Sequence, residues 1–461
     1  MCAVNQSHVH RSLDEITKRL DGNYHKSALR DKLVNNIYKR AETISKEVVT
    51  ETNTKLNWER KIDDILTSKF IGFPIMLTIL ALVFWITLEG AEYPANVLYD
   101  LFFWIEENLT KMFFYFGSPD WLHGFIVLGV YRTLAWVIAV MLPPMAIFFP
   151  LFTLLEDFGY LPRVAFNLDK LFRSVGAHGK QSLTMSMGFG CNAAGVIACR
   201  IIDSPRERII AILTNNFVPC NGRFPTLIVM ATIFLGGVFV TPIGNFAPLL
   251  TVIGMILIGI IATLLVSWML SKTLLRGIPS AFTLELPPYR KPQILQVIIR
   301  SLFDRTLFVL MRAIKVAAPA GAIVWILANI YIGDFSLLSQ SANHLDPFAK
   351  MIGLDGMILI AFILGLPANE IVLPILIMGY LAEGAMLELD SLLSLKTLLV
   401  DNGWTLMTAL SFMLFSLLHY PCGTTLLTIH KETQSLKWMV FAGLMHLVVA
   451  IIVLFILNQL I

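Results

Sequence analysis

Apolar and polar positions are unevenly spread along the chain. The first 69 residues are polar and carry two stretches of helical pattern. Leu13, Ile16 and Leu20 share one face, Leu33, Ile37 and Ile44 another, with Asp21-Gly22-Asn23 breaking between them. Uncharged runs then dominate. Phe70–Leu88, Thr133–Leu155, Gly244–Ser271, Val316–Gly333, Asn402–Ile429 and Trp438–Ile461 hold 19, 23, 28, 18, 28 and 24 residues. Each can cross a hydrocarbon core about 30 Å thick at ~1.5 Å per residue. A seventh crossing, Ile209–Val240, contains a single charge, Arg223.

Two other apolar regions are interrupted. Ser182–Cys199 is broken by Gly188-Phe189-Gly190; Met357–Ala382 is broken by Gly365-Leu366-Pro367 and carries Glu370. Backbone freed at membrane depth is tolerated only where protein buries it or a wet cavity receives it. The two regions are therefore expected to be re-entrant hairpins. Leu168, Leu171, Phe172 and Val175 beside Lys170 and Arg173, and the aromatic stretch Leu98–Phe116, fit interfacial helices or plain packing.

This predicts an all-α polytopic membrane protein. A cytosolic helical arm occupies 1–69, first spans 70–160, a first repeat 161–270, a basic loop 271–305, a second repeat 306–430 and a last span 431–461. Composition agrees: 56% of the 461 residues are hydrophobic and 15% charged, with 23 of the 67 charged residues in the arm. A soluble enzyme and a disordered chain are excluded, and a net charge of +3 argues against a nucleic-acid partner. No secretory signal is visible in the polar N-terminus. Loop charge gives the orientation. Lys61–Lys69, Arg163–Lys180, Asp203–Arg208 and Lys272–Arg305 are basic, and Ala382–Asp401 is acidic. Basic loops belong on the cytosolic side. The first hairpin then enters from the cytosol and the second from outside.

The hairpins resemble each other. Leu168, Asp169, Gly176, Gly179, Gly188 and Asn192 recur 177 residues later as Leu345, Asp346, Gly353, Gly356, Gly365 and Asn369. Each copy precedes a second break, Pro219-Cys220 or Pro421-Cys422. Inverted repeats with discontinuous helices place a substrate site where half-helix ends and unwound backbone meet. The chemistry at the breaks is Gly188-Phe-Gly190-Cys191-Asn192, Pro219-Cys220-Asn221-Gly222-Arg223, Pro367-Ala368-Asn369-Glu370 and Tyr420-Pro421-Cys422. Thiol, amide and carboxylate together suit a transition metal of borderline softness such as Fe²⁺ or Zn²⁺, with Met185 and Met187 offering thioethers nearby. Arg223 and Glu370, ionisable at membrane depth, are functional candidates or neutralise each other. A lone Cys in a membrane helix is usually a packing residue, and Cys199 fits that reading. His419, three residues before Cys422, is in reach of the site; His446 fits packing. Five cysteines are too few and too scattered for a disulfide framework. Gly176-Ala-His-Gly179-Lys180-Gln181 lacks the spacing and the Ser/Thr of a P-loop, so no nucleotide is expected on this chain.

Several of these motifs resemble the ferrous iron transport protein B (FeoB) family. They are Leu155-Glu-Asp-Phe-Gly-Tyr-Leu-Pro-Arg163-Val-Ala-Phe166, Gly188-Phe-Gly-Cys-Asn192, Pro219-Cys220, Arg223-Phe-Pro225, Glu285-Leu-Pro-Pro-Tyr-Arg290, Pro367-Ala-Asn-Glu370 and Tyr420-Pro-Cys422. The order agrees from about residue 35 to the end. The resemblance implies import of Fe²⁺, as substrate, through two "Gate" repeats in the bacterial inner membrane. It implies a path lined by Cys191, Cys220 and Cys422, with Glu370 as the acidic residue of the second gate. It also implies a GTP-hydrolysing G domain, here expected on a separate polypeptide or a removed part, a small FeoA-like partner, and a possible homo-oligomer. Asn369 stands where many members have Lys. The readings kept open are Mn²⁺, Zn²⁺ or a nucleoside-like solute as cargo, and a non-transporting scaffold that recruits a soluble partner through the arm.

Overall fold

The computed structural model describes residues 36–37, 39–45, 47–48, 54–68, 70–236, 247–276, 289, 293–382, 384–385 and 392–460. The face of Leu13, Ile16, Leu20 and Leu33, the basic Lys69, Arg290 and Lys291, and the acidic Glu383, Glu388 and Asp390 lie outside them. Apart from a two-stranded ribbon, Tyr331–Ile332 (β1) with Phe335–Ser336 (β2), the regular structure described is helical.

The arm ends in α1 (Thr54–Leu66). Next comes α2 (Gly72–Tyr115), one continuous helix of 44 residues. The sequence pattern divides this stretch into a span and a separate outer helix. The division fails because the helix continues through Pro94 with the next helix packed against it. At 1.5 Å per residue α2 is about 66 Å long, twice the hydrocarbon thickness. It runs against α3 (Asp120–Asp157). Tyr131 donates to the carbonyl of Phe102 at 2.9 Å, and Arg132 pairs with the buried carboxylate of Glu106. Helix α3 contains a π-helical stretch, Gly124–Tyr131, and three prolines, Pro143, Pro144 and Pro150.

The duplication is explicit in the backbone. Helix α4 (Tyr160–Ser174) and its copy, Leu337–Met351 (α12 in chain order), have 15 residues each, 177 apart at both ends. Both end in a left-handed glycine, Gly176 at φ 77° and Gly353 at φ 73°. In both, the N–H one residue later reaches back at 3.0 Å, Ala177 to Phe172 and Leu354 to Ala349. In both, an aspartate pairs one turn ahead, Asp169 with Arg173 and Asp346 with Lys350. The first hairpin follows as α5 (Gln181–Gly190) and α6 (Asn192–Ala198), joined at Cys191 with φ −152° and ψ 124°. Its copy passes from Gly356–Leu364 (α13) to Val372–Leu381 (α14) through Ala368, with φ −153° and ψ 126°. The break thus falls on Cys191 and not on the glycines before it. Those glycines finish α5, and a Cβ at Gly190 would overlap the ring of Phe148.

The first repeat continues through α7 (Pro205–Thr214), a 3₁₀ turn at Asn215–Phe217 and α8 (Phe224–Leu235), so the described part of the crossing expected from Ile209 is a broken helix. Helices α9 (Ala247–Lys272), α10 (Ile294–Arg300) and α11 (Phe308–Asn329) lead into the second repeat. Its broken helix comprises α16 (Leu406–Leu418) and α17 (Gly423–Thr433), preceded by α15 (Leu392–Asp401) and followed by α18 (Leu436–Leu460). Six described helical segments are long and apolar enough to cross a membrane: α2, α3, Leu250–Lys272, Leu310–Asn329, Leu406–Thr433 and α18. Two contacts give the direction of the hairpins. The far end of the first holds the end of α17 through Arg200 and Glu432. The far end of the second meets the start of α16, where the indole N–H of Trp404 donates to Tyr380 at 2.7 Å. The hairpins therefore enter from opposite ends of one broken span.

The arm is tied to this core. Arg163 on α4 is fully buried; it donates to Asp63 of α1 at 3.0 Å and to the carbonyl of Gly159 at 2.8 Å, and lies 4.1 Å from the ring centre of Tyr289. The Tyr289 hydroxyl donates to the same Asp63 oxygen at 2.7 Å. Burial, with the adjoining carboxylate, pushes that hydroxyl up to about 12, so it stays a donor across the working pH range. Removing Asp63 takes an anionic partner from a buried guanidinium. We expect Asp63→Ala to lower stability by about 2–3 kcal/mol, read as a fall in Tm of the detergent-purified protein. Tyr289→Phe keeps the ring under Arg163 and should cost only about 1 kcal/mol.

Candidate functional site

The two hairpin tips and the two broken helices deliver residues to one small buried pocket. It is lined by Cys191 and Asn192 from the first tip, and by Pro367, Ala368, Asn369 and Glu370 from the second. Cys220, Asn221 and Gly222 come from the first broken helix, and Cys422 and Thr424 from the second. The room they leave suits about one water-sized body.

Each tip is pinned to the broken helix of its own repeat. Asn221 donates its N–H to the carbonyl of Gly190 at 3.2 Å, and Gly423 donates to Leu366 at 2.6 Å. These bonds satisfy backbone groups that helix breaks leave open. The pocket is also sized by a glycine, because a Cβ at Gly222 would overlap the carboxylate of Glu370.

Arg223 lies behind the pocket, fully buried, and spans the two repeats. It donates to the carbonyls of Asn216 at 3.0 Å and Leu417 at 2.9 Å, with longer contacts to His419 at 3.4 Å and Tyr420 at 3.5 Å. The break at His419–Cys422 strips the last turn of α16 of its next N–H groups, and the guanidinium replaces them. Of the two readings of Arg223, neutralisation stands in part: the charge of Glu370 does act on the guanidinium across the repeats, but without direct contact. Among the described residues no ion pair joins them, and Arg223 serves carbonyls instead.

Three polar groups stand out at or beside the pocket. Asn369 points its amide nitrogen at the Cys220 sulfur, 3.8 Å away, and its buried oxygen has no hydrogen-bond partner among the described residues. The Asn192 and Asn216 side-chain amides meet at 2.8 Å, and Asn216 donates onward to the carbonyl of His419 at 3.1 Å. The Cys422 sulfur lies 3.0 Å and 3.2 Å from the hydroxyls of Thr424 and Thr425.

Gly188, Met187, Pro219, Arg223 and Pro421 sit around the pocket without lining it. Met187 contributes its backbone carbonyl, which accepts the N–H of Cys191 at 3.1 Å, and Met185 is buried in the core. The pocket's thioethers come instead from Met141 and Met145 of α3, and Ala313 of α11 completes the wall. Their signal was Pro143-Pro144, a double proline inside an apolar helix, set between the two methionines. The His419 ring packs between Phe362 and Phe415; only its carbonyl faces Arg223 and Asn216. His446 stacks on Phe217 at 4.2 Å, and Cys199 donates to the carbonyl of Gly195 at 3.3 Å. Among the described residues no three His, Cys, Asp or Glu side chains stand close enough to clasp a metal.

Two family models match the chain. One, described as nucleoside recognition ("Gate"), covers residues 138–234 and 310–436; the other, ferrous iron transport protein B C terminus, covers 252–304. The chain is 30% identical over 428 residues to the Fe(2+) transporter FeoB of Staphylococcus aureus (strain MSSA476), covering 91% of this chain and 61% of that protein. It is 27% identical over 460 residues to the Fe(2+) transporter FeoB of Methanocaldococcus jannaschii, covering 97% and 65%. A Fe(2+) transport protein A/Fe(2+) transporter FeoB fusion protein of Porphyromonas gingivalis is 26% identical over 448 residues, covering 87% and 51%. The chain thus spans about three fifths of the length of the first of these relatives. No solved structure matches.

Replacing Arg223 by Met leaves its carbonyl partners unserved in a buried place. We expect a stability loss of roughly 2–3 kcal/mol. Arg223→Lys should recover only part of it, because an ammonium lacks the planar fork. Thermal unfolding in detergent reads both variants.

Proposed function

The chain belongs to the ferrous iron transport protein B family, and on that premise we propose that it carries Fe²⁺ across a membrane through the pocket between its two hairpin tips. One observation carries this reading: Cys191, Cys220, Cys422, Met141, Met145, Asn369 and Glu370 line a space of about one water. Sulfur with a few oxygens suits a borderline divalent ion. No aromatic residue lines the pocket, so a nucleoside would find no stacking surface there.

The ion enters from the face opposite the basic loops, exchanges waters for Cys191, Cys220, Cys422 and the Asn369 and Glu370 oxygens a few at a time, and leaves toward the basic loops. Ligands drawn from four separate chain breaks suit passage better than storage. The membrane in question is the bacterial inner membrane, with the arm in the cytosol. A GTP-hydrolysing G domain, on this polypeptide or another, acts on the arm, and an FeoA-like protein is a partner; the fused relative from P. gingivalis supports the latter. Force on α1 reaches the first repeat through Asp63 and Arg163.

Uptake of Fe²⁺ under reducing conditions, in cells lacking their own iron importers, tests the reading with and without a G-domain protein. Cys220→Ser and Cys191→Ser should each cut uptake about tenfold. A parental rate in both removes the thiols from the path. Zn²⁺ should compete better than Mn²⁺, and uridine not at all. Loading a thiol site releases a proton, so uptake should slow as pH falls.

A further inference from the structure

Helices α6 and α17 both start at the pocket, at Cys191 and Cys422, and pack side by side. They end together at the face of the basic loops. The seam joins a helix carrying buried Ala193 and Ala194 to one whose Thr424 and Thr425 hydroxyls lie beside the Cys422 sulfur and whose Thr428 hydroxyl accepts from Arg312 at 2.8 Å. At its far end the Arg200 guanidinium holds Glu432 with two hydrogen bonds of 2.7 Å each. This ion pair joins the two repeats. The Glu432 side chain is 9% exposed and that of Arg200 64%.

The duplication supplies an internal comparison. The hairpins are offset by 177, which puts Ile377 where Arg200 stands. The broken helices are offset by 202, from Pro219 to Pro421, which puts Met230 where Glu432 stands. Both counterparts are buried and apolar. Their helices, α14 and α8, do not pack into a comparable seam among the described residues, so the fold has no matching contact there. On the basic-loop face it uses a carboxylate held by a solvent-reachable cation.

We propose that Glu432 is the exit ligand of the transported divalent cation and that Arg200 is the monovalent cation that occupies it while the seam is shut. A departing ion that reaches the end of the Thr424–Thr428 face replaces the guanidinium on the carboxylate, and the same exchange frees α6 from α17. The two residues then have opposite effects when removed. Losing Arg200 opens the seam and leaves the ligand; losing Glu432 opens the seam and removes the ligand. The inference rests on the transport reading for its cargo, but the latch itself does not.

The test uses the full chain in everted membrane vesicles. A membrane-impermeant thiol reagent is applied to the basic-loop face, and modification of Cys422 is followed by peptide mass analysis. Arg200→Gln and Glu432→Gln should each speed labelling several-fold, and the swap R200E/E432R should return it to the parental rate. Fe²⁺ flux in the same vesicles should rise two- to threefold in Arg200→Gln and fall at least fivefold in Glu432→Gln. Equal labelling in all four proteins overturns the latch. Faster labelling with flux changing in the same direction in both single variants overturns Glu432 as exit ligand. A parental protein with no Fe²⁺ flux, both with and without a G-domain protein and GTP, overturns the transport reading, and with it the exit-ligand role, while labelling still decides the latch.

Discussion

Peptide groups cannot be left bare at membrane depth, and the rest of this structure depends on how that constraint is met. The chain is interrupted at four places within its core, at Cys191, Ala368, Val218–Asn221 and His419–Cys422. Each interruption frees N–H and C=O groups that lipid could not satisfy. The answer is to bring the four interruptions together, so that each serves the others. Gly190 accepts from Asn221, Leu366 from Gly423, and the guanidinium of Arg223 covers the carbonyls of α16. A chamber at the centre of the protein is the by-product of this mutual repair, and its sulfur and amide chemistry comes from the residues that sit at the breaks.

Duplication explains the frame, and departures from it locate the chemistry. The helix pair α4 and α12 match residue for residue at their ends, down to the left-handed glycine and the aspartate one turn before a cation. Packing alone preserves such features. At the tips the copies diverge: Cys191 corresponds to Ala368, and Ala193 to Glu370. Two near-identical backbones carrying different side chains show that the thiol on one tip and the carboxylate on the other are not demanded by the fold.

Much of this was legible in the chain itself. Uninterrupted apolar runs marked the spans, and the 177-residue spacing exposed the repeat, because helix length and turn glycines leave marks of fixed period. The break residues that line the pocket were readable for the same reason, since Gly and Pro at membrane depth are conspicuous. What stayed hidden has a physical cause in each case. The continuity of α2 through Pro94 depends on α3 lying alongside, which no local pattern records. Met141 and Met145 enter the pocket from a helix outside either repeat. Arg223 carries an obvious charge, but its partners are carbonyls, and carbonyls are the same at every position of a sequence.

The bonds between tip and broken helix lie within a repeat, whereas those of Arg223 to Leu417, His419 and Tyr420 lie between repeats. Together with Asn216 to His419 and Arg200 to Glu432, these contacts hold one repeat against the other, and Arg223 is the buried cation among them. A guanidinium offers five donors in a plane, and here it faces four acceptors spread over 2.9 to 3.5 Å. Its Nε finds no partner among the described residues, so the joint carries one buried donor unserved while the other two nitrogens share four carbonyls. A carboxylate partner in the same place would have fixed a single position.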